Sequence, residues 1–291
     1  MYQDILIPTD GSAGAEEAVA RALDLARVSG ATVHTLYVVE MGEESAELDA
    51  EQQDELREAA TNRGESALEE IAEAATDIDS EIRTEVREGT PNEEIRAYAA
   101  DHGIDLIVMG THGRTGAERA SLGSTTERVV TLGDVPVMSV RRNGDAEAFR
   151  SGYGMYDHIV IATDGSDDAE RAATHGIEIA ERYGADVHVV YVVDTATFDL
   201  QDAPRSIVGL LKEGGRSAAE AIMTEARDLN LPAEADVLRG IPEEEILDFA
   251  DGVDADLLVV GTRGRATTGD RLLGSTTARL IERAEMPVLT R

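Results

Sequence analysis

The chain has no cysteine and a single lysine, Lys212, in 291 residues. Without thiols, disulfides, thiolate metal sites and cysteine nucleophiles are excluded together. The lone lysine is followed by Glu213, so no Walker A loop exists, because that loop needs lysine directly before Ser or Thr. There is no G-x-S-x-G elbow. The turn Pro8 to Gly14 lacks the G-x-G-x-x-G dinucleotide fingerprint, although Glu40 and Asp194 stand where a ribose-binding acid could sit. The six histidines show no H-E-x-x-H or other ligand spacing, so no protein-held metal and no catalytic residue is expected. No apolar run approaches the roughly 18 residues that span a bilayer. Met1 to Asp4 leads straight into Ile5, Leu6 and Ile7 without a basic segment, so a cytoplasmic location is expected.

Positive charge is scarce as well: 59 Asp and Glu stand against 26 Lys and Arg, a formal net charge of -33. At ordinary salt such a surface repels itself and destabilises the compact state. In molar salt the Debye length falls to about 3 Å and screens most of that repulsion. The composition is therefore expected to be an adaptation to a salt-loaded cytoplasm, that of an extreme halophile. Nucleic acid and anionic membranes are excluded as partners, since phosphate contacts need a positive face.

What the chain does have is a duplication. Residues 2 to 12 (YQDILIPTDGS) overlay 156 to 166 (YDHIVIATDGS), and GATVHTLYVVE from Gly30 overlays GADVHVVYVVD from Gly184, both at an offset of 154. Beyond the middle of each half the offset becomes 151, and a three-residue deletion in a variable segment accounts for the change. The reading is two domains, 1–142 and 156–291, joined by a polar linker, 143–155.

Within each half short apolar, β-branched runs alternate with longer amphipathic ones, the signature of βαβ units. Strands are expected near 4–9, 31–39, 81–86, 105–109 and 135–140, and helices near 13–29, 44–76, 91–102 and 124–133. Thr90-Pro91-Asn92-Glu93 fits a capping box with proline at the first helical position, and Pro242 plays that part in the second half. The fold class is α/β: two tandem doubly wound domains, each a five-stranded parallel sheet with helices on both faces. Ligands of such folds bind outside the carboxyl ends of the strands.

At those ends lie Gly110-Thr111-His112-Gly113 and, nine residues on, Gly123-Ser124-Thr125-Thr126. They reappear 151 positions later as Gly261-Thr262-Arg263-Gly264 and Gly274-Ser275-Thr276-Thr277. Glycine lets a ligand approach backbone N–H groups closely, and a helix opening after the last glycine offers unpaired amides to an anion. A phosphate-bearing ligand is the reading, against simple turn chemistry. Arg114 and Arg265 could offset its charge or form surface ion pairs. Ser124 with Glu127 also matches a capping box, and Asp10 and Asp164 could be turn residues bonding their own backbone. His34 and His188 recur inside the second strand, where a packed or hydrogen-bonded role is expected.

These glycine runs, behind the Pro-Thr-Asp after strand one, resemble the nucleotide-binding branch of the universal stress protein family, and both halves match. The resemblance implies a tandem two-domain member with strand order 3-2-1-4-5 in each half. It implies binding of ATP, or of ADP or AMP, with Mg2+ on the phosphates. The family pairs fifth strands, so Val135 to Val140 and Pro287 to Arg291 are expected to make an intrachain pseudo-dimer; a homodimer is compatible too. Carried over, the adenine and ribose side comprises Pro8, Thr9, Asp10, the backbone of Val38, Met109 and Gly110. The phosphate side comprises Gly113, Gly123, Ser124 and Thr125, with His112 and Thr126 from the same runs. In the second half the set is Thr163, Asp164, Val192, Val260, Gly261, Arg263, Gly264, Gly274, Ser275, Thr276 and Thr277. Ala162 departs from the family's proline, and Arg263 stands in place of His112.

The leading expectation is a stress-response protein that acts by nucleotide occupancy, read out by an unidentified protein partner. Two rivals remain: a slow ATPase or self-phosphorylating enzyme using Ser124, Thr125 or their repeats, and a nucleotide-free scaffold.

Overall fold

The structure, a computed structural model, describes residues 1–42, 48–76, 78–113, 122–141, 155–194, 205–264 and 272–291, with the backbone alone at 13 and 205–208. The chain divides into two compact units, Tyr2–Arg150 and Ser151–Arg291, Met1 grouping with the second. All of the expected linker except Met155 lies outside the described residues.

Unit one runs β1 (Asp4–Thr9), α1 (Ala13–Ser29), β2 (Thr32–Val39), α2 (Ala50–Ala74), β3 (Ile82–Glu88), α3 (Pro91–His102), β4 (Leu106–Gly110), α4 (Ser124–Leu132) and β5 (Val137–Val140). Its strands lie in the order β3-β2-β1-β4-β5, every printed pair parallel. Unit two repeats the pattern with β6 (His158–Ala162), α5 (Asp167–Tyr183), β7 (Asp186–Asp194), α6 (Arg205–Asp228), β8 (Ala233–Gly240), α7 (Pro242–Gly252), β9 (Leu257–Val260), α8 (Ser275–Arg283) and β10 (Val288–Thr290). Its order is β8-β7-β6-β9-β10, again parallel. Right-handed crossovers that lead first one way and then the other from the central strand place helices on opposite faces. Accordingly α3 packs on α4, while in unit two α5 packs on α6 and α7 on α8.

The middles of the central strands are apolar because both faces are covered. Ile5, Leu6 and Ile7 in β1, and Ile159, Val160 and Ile161 in β6, are fully buried. Helix ends follow local chemistry. α1 and α3 stop at Gly30 and Gly103, which take the left-handed conformation with φ of 73° and 64°.

One expected helix start and one expected cap are corrected. α2 begins at Ala50 rather than near 44, because Asp49 and Gln52 form a reciprocal capping box there; residues 43–47 lie outside the described set. α3 begins as expected, but Thr90 makes no side-chain cap bond. Pro91 at the first helical position has no N–H to satisfy, and the Thr90 carbonyl accepts the Glu93 and Glu94 amides.

Each unit seats the helix that follows its second strand by a glycine against an aromatic ring. A Cβ on Gly64 of α2 would lie 2.6 Å from Tyr37 of β2, and the same contact recurs between Gly215 of α6 and Tyr191 of β7. Among the described residues no helix is long and apolar enough to cross a membrane.

Candidate functional site

The strand order reverses between β1 and β4, leaving a crevice at their carboxyl ends. In unit one it opens as a cleft of about 530 Å³. Every unit-one residue of the expected ligand set lines it: Pro8, Thr9, Asp10, Val38, Met109, Gly110, His112, Gly113, Gly123, Ser124, Thr125 and Thr126.

The floor is a set of close backbone approaches. The Gly123 amide donates to the Thr111 carbonyl at 2.9 Å, and the Thr126 hydroxyl donates to the Gly110 carbonyl at 2.9 Å. Thr126, buried in the described structure, thus ties the start of α4 to the end of β4. A Cβ on Gly110 would lie 2.8 Å from the Gly14 carbonyl, and one on Gly123 would lie 2.8 Å from the Thr111 carbonyl. Side chains at either position would push this floor apart.

The expected capping box between Ser124 and Glu127 is not formed. Gly123 is the N-cap and makes no side-chain bond, so Ser124 falls at the first helical position, outside the geometry a capping hydroxyl needs. The first-turn amides of α4 have no intrahelical acceptor, and the positive end of its dipole faces the cleft lined by Ser124 and Thr125.

Asp10 does make the local turn. Its Oδ1 accepts the Ser12 amide at 3.0 Å, and the Thr9 hydroxyl accepts the Gly11 amide at 3.1 Å. A Cβ on Gly113 would stand 2.6 Å from Asp10 Oδ2, so the glycine loop folds directly over this carboxylate. His112 Nδ1 shares a 3.0 Å hydrogen bond with the Thr111 hydroxyl. Arg114 lies outside the described residues, as does Arg265 in unit two. His34 is fully buried, with Nδ1 2.9 Å from the Tyr98 hydroxyl and Nε2 3.0 Å from Asp4 Oδ1, away from the cleft.

Two polar groups in the cleft escaped the sequence reading. Arg63 of α2 lines it and brings a guanidinium to a site otherwise bordered by the carboxylates Asp10 and Glu40. The signal was a basic residue beside Gly64, the position where α2 touches the sheet. Ser12, the N-cap of α1, also lines the cleft, and its hydroxyl oxygen is buried without a hydrogen-bond partner among the described residues. The apolar wall gains Leu36, Tyr37 and, from α3, Ile95.

In unit two the same frame recurs. The Thr277 hydroxyl donates to the Gly261 carbonyl at 2.7 Å, and the Gly274 amide donates to the Thr262 carbonyl at 2.9 Å. Asp164 accepts the Ser166 amide at 3.0 Å, and a Cβ on Gly264 would lie 2.7 Å from its Oδ2. Val192, Val260, Ser275 and Thr276 occupy the matching strand and helix ends. Thr163 is buried, and its hydroxyl accepts the Gly165 amide at 3.0 Å.

One contact has no counterpart in unit one. Asp168 stands at the position of Gly14 and is buried. Its Oδ2 accepts from Arg263 Nε at 2.9 Å and from the Thr262 hydroxyl at 3.4 Å, and its other oxygen pairs with Arg171. Among the described residues no cluster of three or more His, Asp or Glu side chains could hold a metal ion.

A model described as the universal stress protein family matches residues 1–141 and again 155–290. A universal stress protein of Methanocaldococcus jannaschii is 41% identical over 143 residues, which is 48% of this chain and 84% of the relative. Another, from Thermus aquaticus, is 38% identical over 137 residues, 46% of this chain and 98% of the relative. The crystal structure of a universal stress protein from Archaeoglobus fulgidus covers 99% of this chain and 95% of its own, with a TM-score of 0.73 at 22% identity, a likeness of fold.

Proposed function

The chain belongs to the universal stress protein family, and from that premise we propose that it binds an adenine nucleotide in the unit-one cleft and acts through occupancy of that site. The observation that carries the reading is the convergence of an anion-facing end and an apolar wall in one cleft. The lining includes the start of α4 with the Ser124 and Thr125 hydroxyls, and the guanidinium-bearing Arg63 of α2. It also includes the apolar Pro8, Leu36, Val38 and Met109. A flat heterocycle suits such a wall, and a phosphate chain suits amides at a helix N-terminus. The buried, unpartnered Ser12 hydroxyl is a further group that a ligand oxygen would satisfy.

These residues fit ATP, ADP or AMP. The glycines leave the floor bare of side chains, and Asp10 sits at the mouth of β1, where a hydroxyl donor of a ribose would meet it. Mg2+ would arrive on the phosphates and neutralise part of their charge, which matters in a chain of net charge -33. Bound nucleotide changes the surface at the mouth of the cleft, and a protein partner reads that change. No group transfer is required for that signal.

Melting the full chain in molar KCl with ATP, with AMP and without ligand tests the reading. Nucleotide at about 100 times its dissociation constant stabilises the fold by roughly 2.7 kcal/mol per site. Three coincident melting curves would overturn it.

A further inference from the structure

We infer that the two glycine loops are not equivalent sites: Asp168 latches the loop of unit two, and the chain takes up one nucleotide, in unit one. The inference rests on the nucleotide reading above and adds to it which copy works and which residue decides. The latch begins at one position of the duplicated turn. In unit one it is Gly14, where a Cβ would lie 2.8 Å from the carbonyl of His112, so the glycine loop lies directly on the start of α1. Nothing there projects into the cleft. In unit two the same position is Asp168, which sends a buried carboxylate under the corresponding loop.

Three consequences follow from that carboxylate. It holds Arg263, the residue before the second glycine of the loop, through a 2.9 Å bond to Nε, with the two side chains 37% and 12% exposed. It takes the Thr262 hydroxyl at 3.4 Å, so two consecutive loop residues are tied to α5. It also places a negative charge against the loop that would have to receive phosphates. An incoming polyphosphate would have to draw Arg263 away from Asp168, free the Thr262 hydroxyl and accept beside it a carboxylate then held by Arg171 alone, which is unfavourable. Ser166 adds to the tie: its hydroxyl accepts the Ala169 amide at 3.3 Å and donates to the Arg263 carbonyl at 3.4 Å, whereas the equivalent Ser12 hydroxyl has no partner among the described residues.

A second position points the same way. The contacts of Gly64 with Tyr37 and of Gly215 with Tyr191 align α2 with α6, and that alignment puts Gly214 opposite Arg63. A Cβ at Gly214 would meet nothing within 4 Å. Unit two therefore carries an acid that occupies its loop arginine, and it has no side chain at the position from which Arg63 lines the unit-one cleft.

Stoichiometry decides the matter. Calorimetric titration of the full chain with Mg·ATP in about 3 M KCl, where surface repulsion is screened, is expected to give one site per chain. Asp168→Gly and, with side-chain volume kept, Asp168→Asn are expected to give two. Ser124→Asp places a carboxylate at the anion end of the unit-one cleft on an exposed first-turn position that tolerates acids. It is expected to weaken binding by more than about tenfold, and Asp168→Gly added to it is expected to restore one site. Circular dichroism melts of each variant verify that it is folded. Two sites in the unmodified chain, or one site that survives Ser124→Asp alone, overturn the latch while leaving nucleotide binding intact. A folded Asp168 variant pair that still binds one nucleotide overturns Asp168 as the cause. Binding to none of the proteins overturns the nucleotide reading itself, and this inference with it.

Discussion

Units one and two share a frame and differ at its gate. Both bring strand four to the helix after it through a buried threonine hydroxyl, and both fold a glycine over the aspartate that ends strand one. Those contacts rest on side chains that both copies keep, Thr126 and Thr277, Asp10 and Asp164. What has changed are two positions on neighbouring helices: Gly14 against Asp168, which reaches the loop, and Arg63, which lines the unit-one cleft, against Gly214. On the latch proposed above, duplication preserved the cradle while altering access to it, so that a repeated glycine spacing marks a scaffold and leaves binding to the residues around it.

The largest expected effect is that of salt. α2 is strongly acidic, whereas acids and bases balance in α6. Raising KCl from about 0.1 M to about 3 M, which shrinks the screening length from about 10 Å to below 3 Å, is expected to stabilise the whole chain. It should raise hydrogen-exchange protection of α2 more than that of α6. A flat unfolding midpoint across that range would remove the halophilic reading, and equal gains in the two helices would remove the contrast between units.

Next come the helix seats. Leucine at Gly64 or Gly215 would drive a side chain into Tyr37 or Tyr191, where even a Cβ comes within 2.6 Å and 2.4 Å. Overpacking of this kind costs about 1–3 kcal/mol, measurable as a lowered urea midpoint for either variant. The copies part on function. Gly64→Leu also displaces Tyr37, Ala60 and Arg63 from the cleft and so weakens nucleotide binding. An unchanged affinity in Gly64→Leu would mean that α2 does not form part of the site.

The N-cap serines break the symmetry in sign. Ser166 caps α5 through the Ala169 amide, so Ser166→Ala is expected to cost about 1 kcal/mol. Ser12 makes no cap bond and buries its hydroxyl unpartnered among the described residues, so Ser12→Ala should cost clearly less or stabilise the free protein, while lowering ligand affinity. Chemical unfolding of both variants without ligand checks the pair, and equal losses would show that Ser12 already has its partner.

Much of this was legible in the sequence because the chain states its fold twice. β1 spans the expected 4–9 and α1 the expected 13–29, since apolar β-branched runs and left-handed glycines are local signals. The clustering of Asp10, Gly113 and Ser124 followed from strand order alone. The start of α2 was harder, because the acidic run before Asp49 has the same composition as the helix and only the Asp49 to Gln52 capping geometry ends it. The gate was harder still. The change from Gly14 to Asp168 is visible as letters, yet its weight depends on how near the His112 carbonyl and the Arg263 guanidinium lie, and that is a distance between segments about 100 residues apart.

The smallest effect concerns the histidines of the second strands. His34 shares hydrogen bonds with the Tyr98 hydroxyl and Asp4, with His102 stacked on Tyr98 at 3.9 Å, whereas in unit two His188 meets His158 at 3.5 Å and Phe249 stands where Tyr98 would be. Tyr98→Phe therefore copies unit two into unit one and leaves a buried ring nitrogen without its partner, at a cost of about 1 kcal/mol at neutral pH. Burial pushes the Tyr98 hydroxyl above its ordinary value of 10.0, helped by the nearby Glu85 and opposed by Arg87 and Arg83. A folded-state value above the unfolded one means that this contribution is fully present below about pH 10 and is lost as pH rises through the raised value. The native chain should then lose stability along an alkaline limb that Tyr98→Phe lacks, and the gap between the two should narrow above about pH 10. A gap that stays constant through that range would mean that the hydroxyl ionises as freely in the folded chain as in the unfolded one, and that the His34 contact is packing alone.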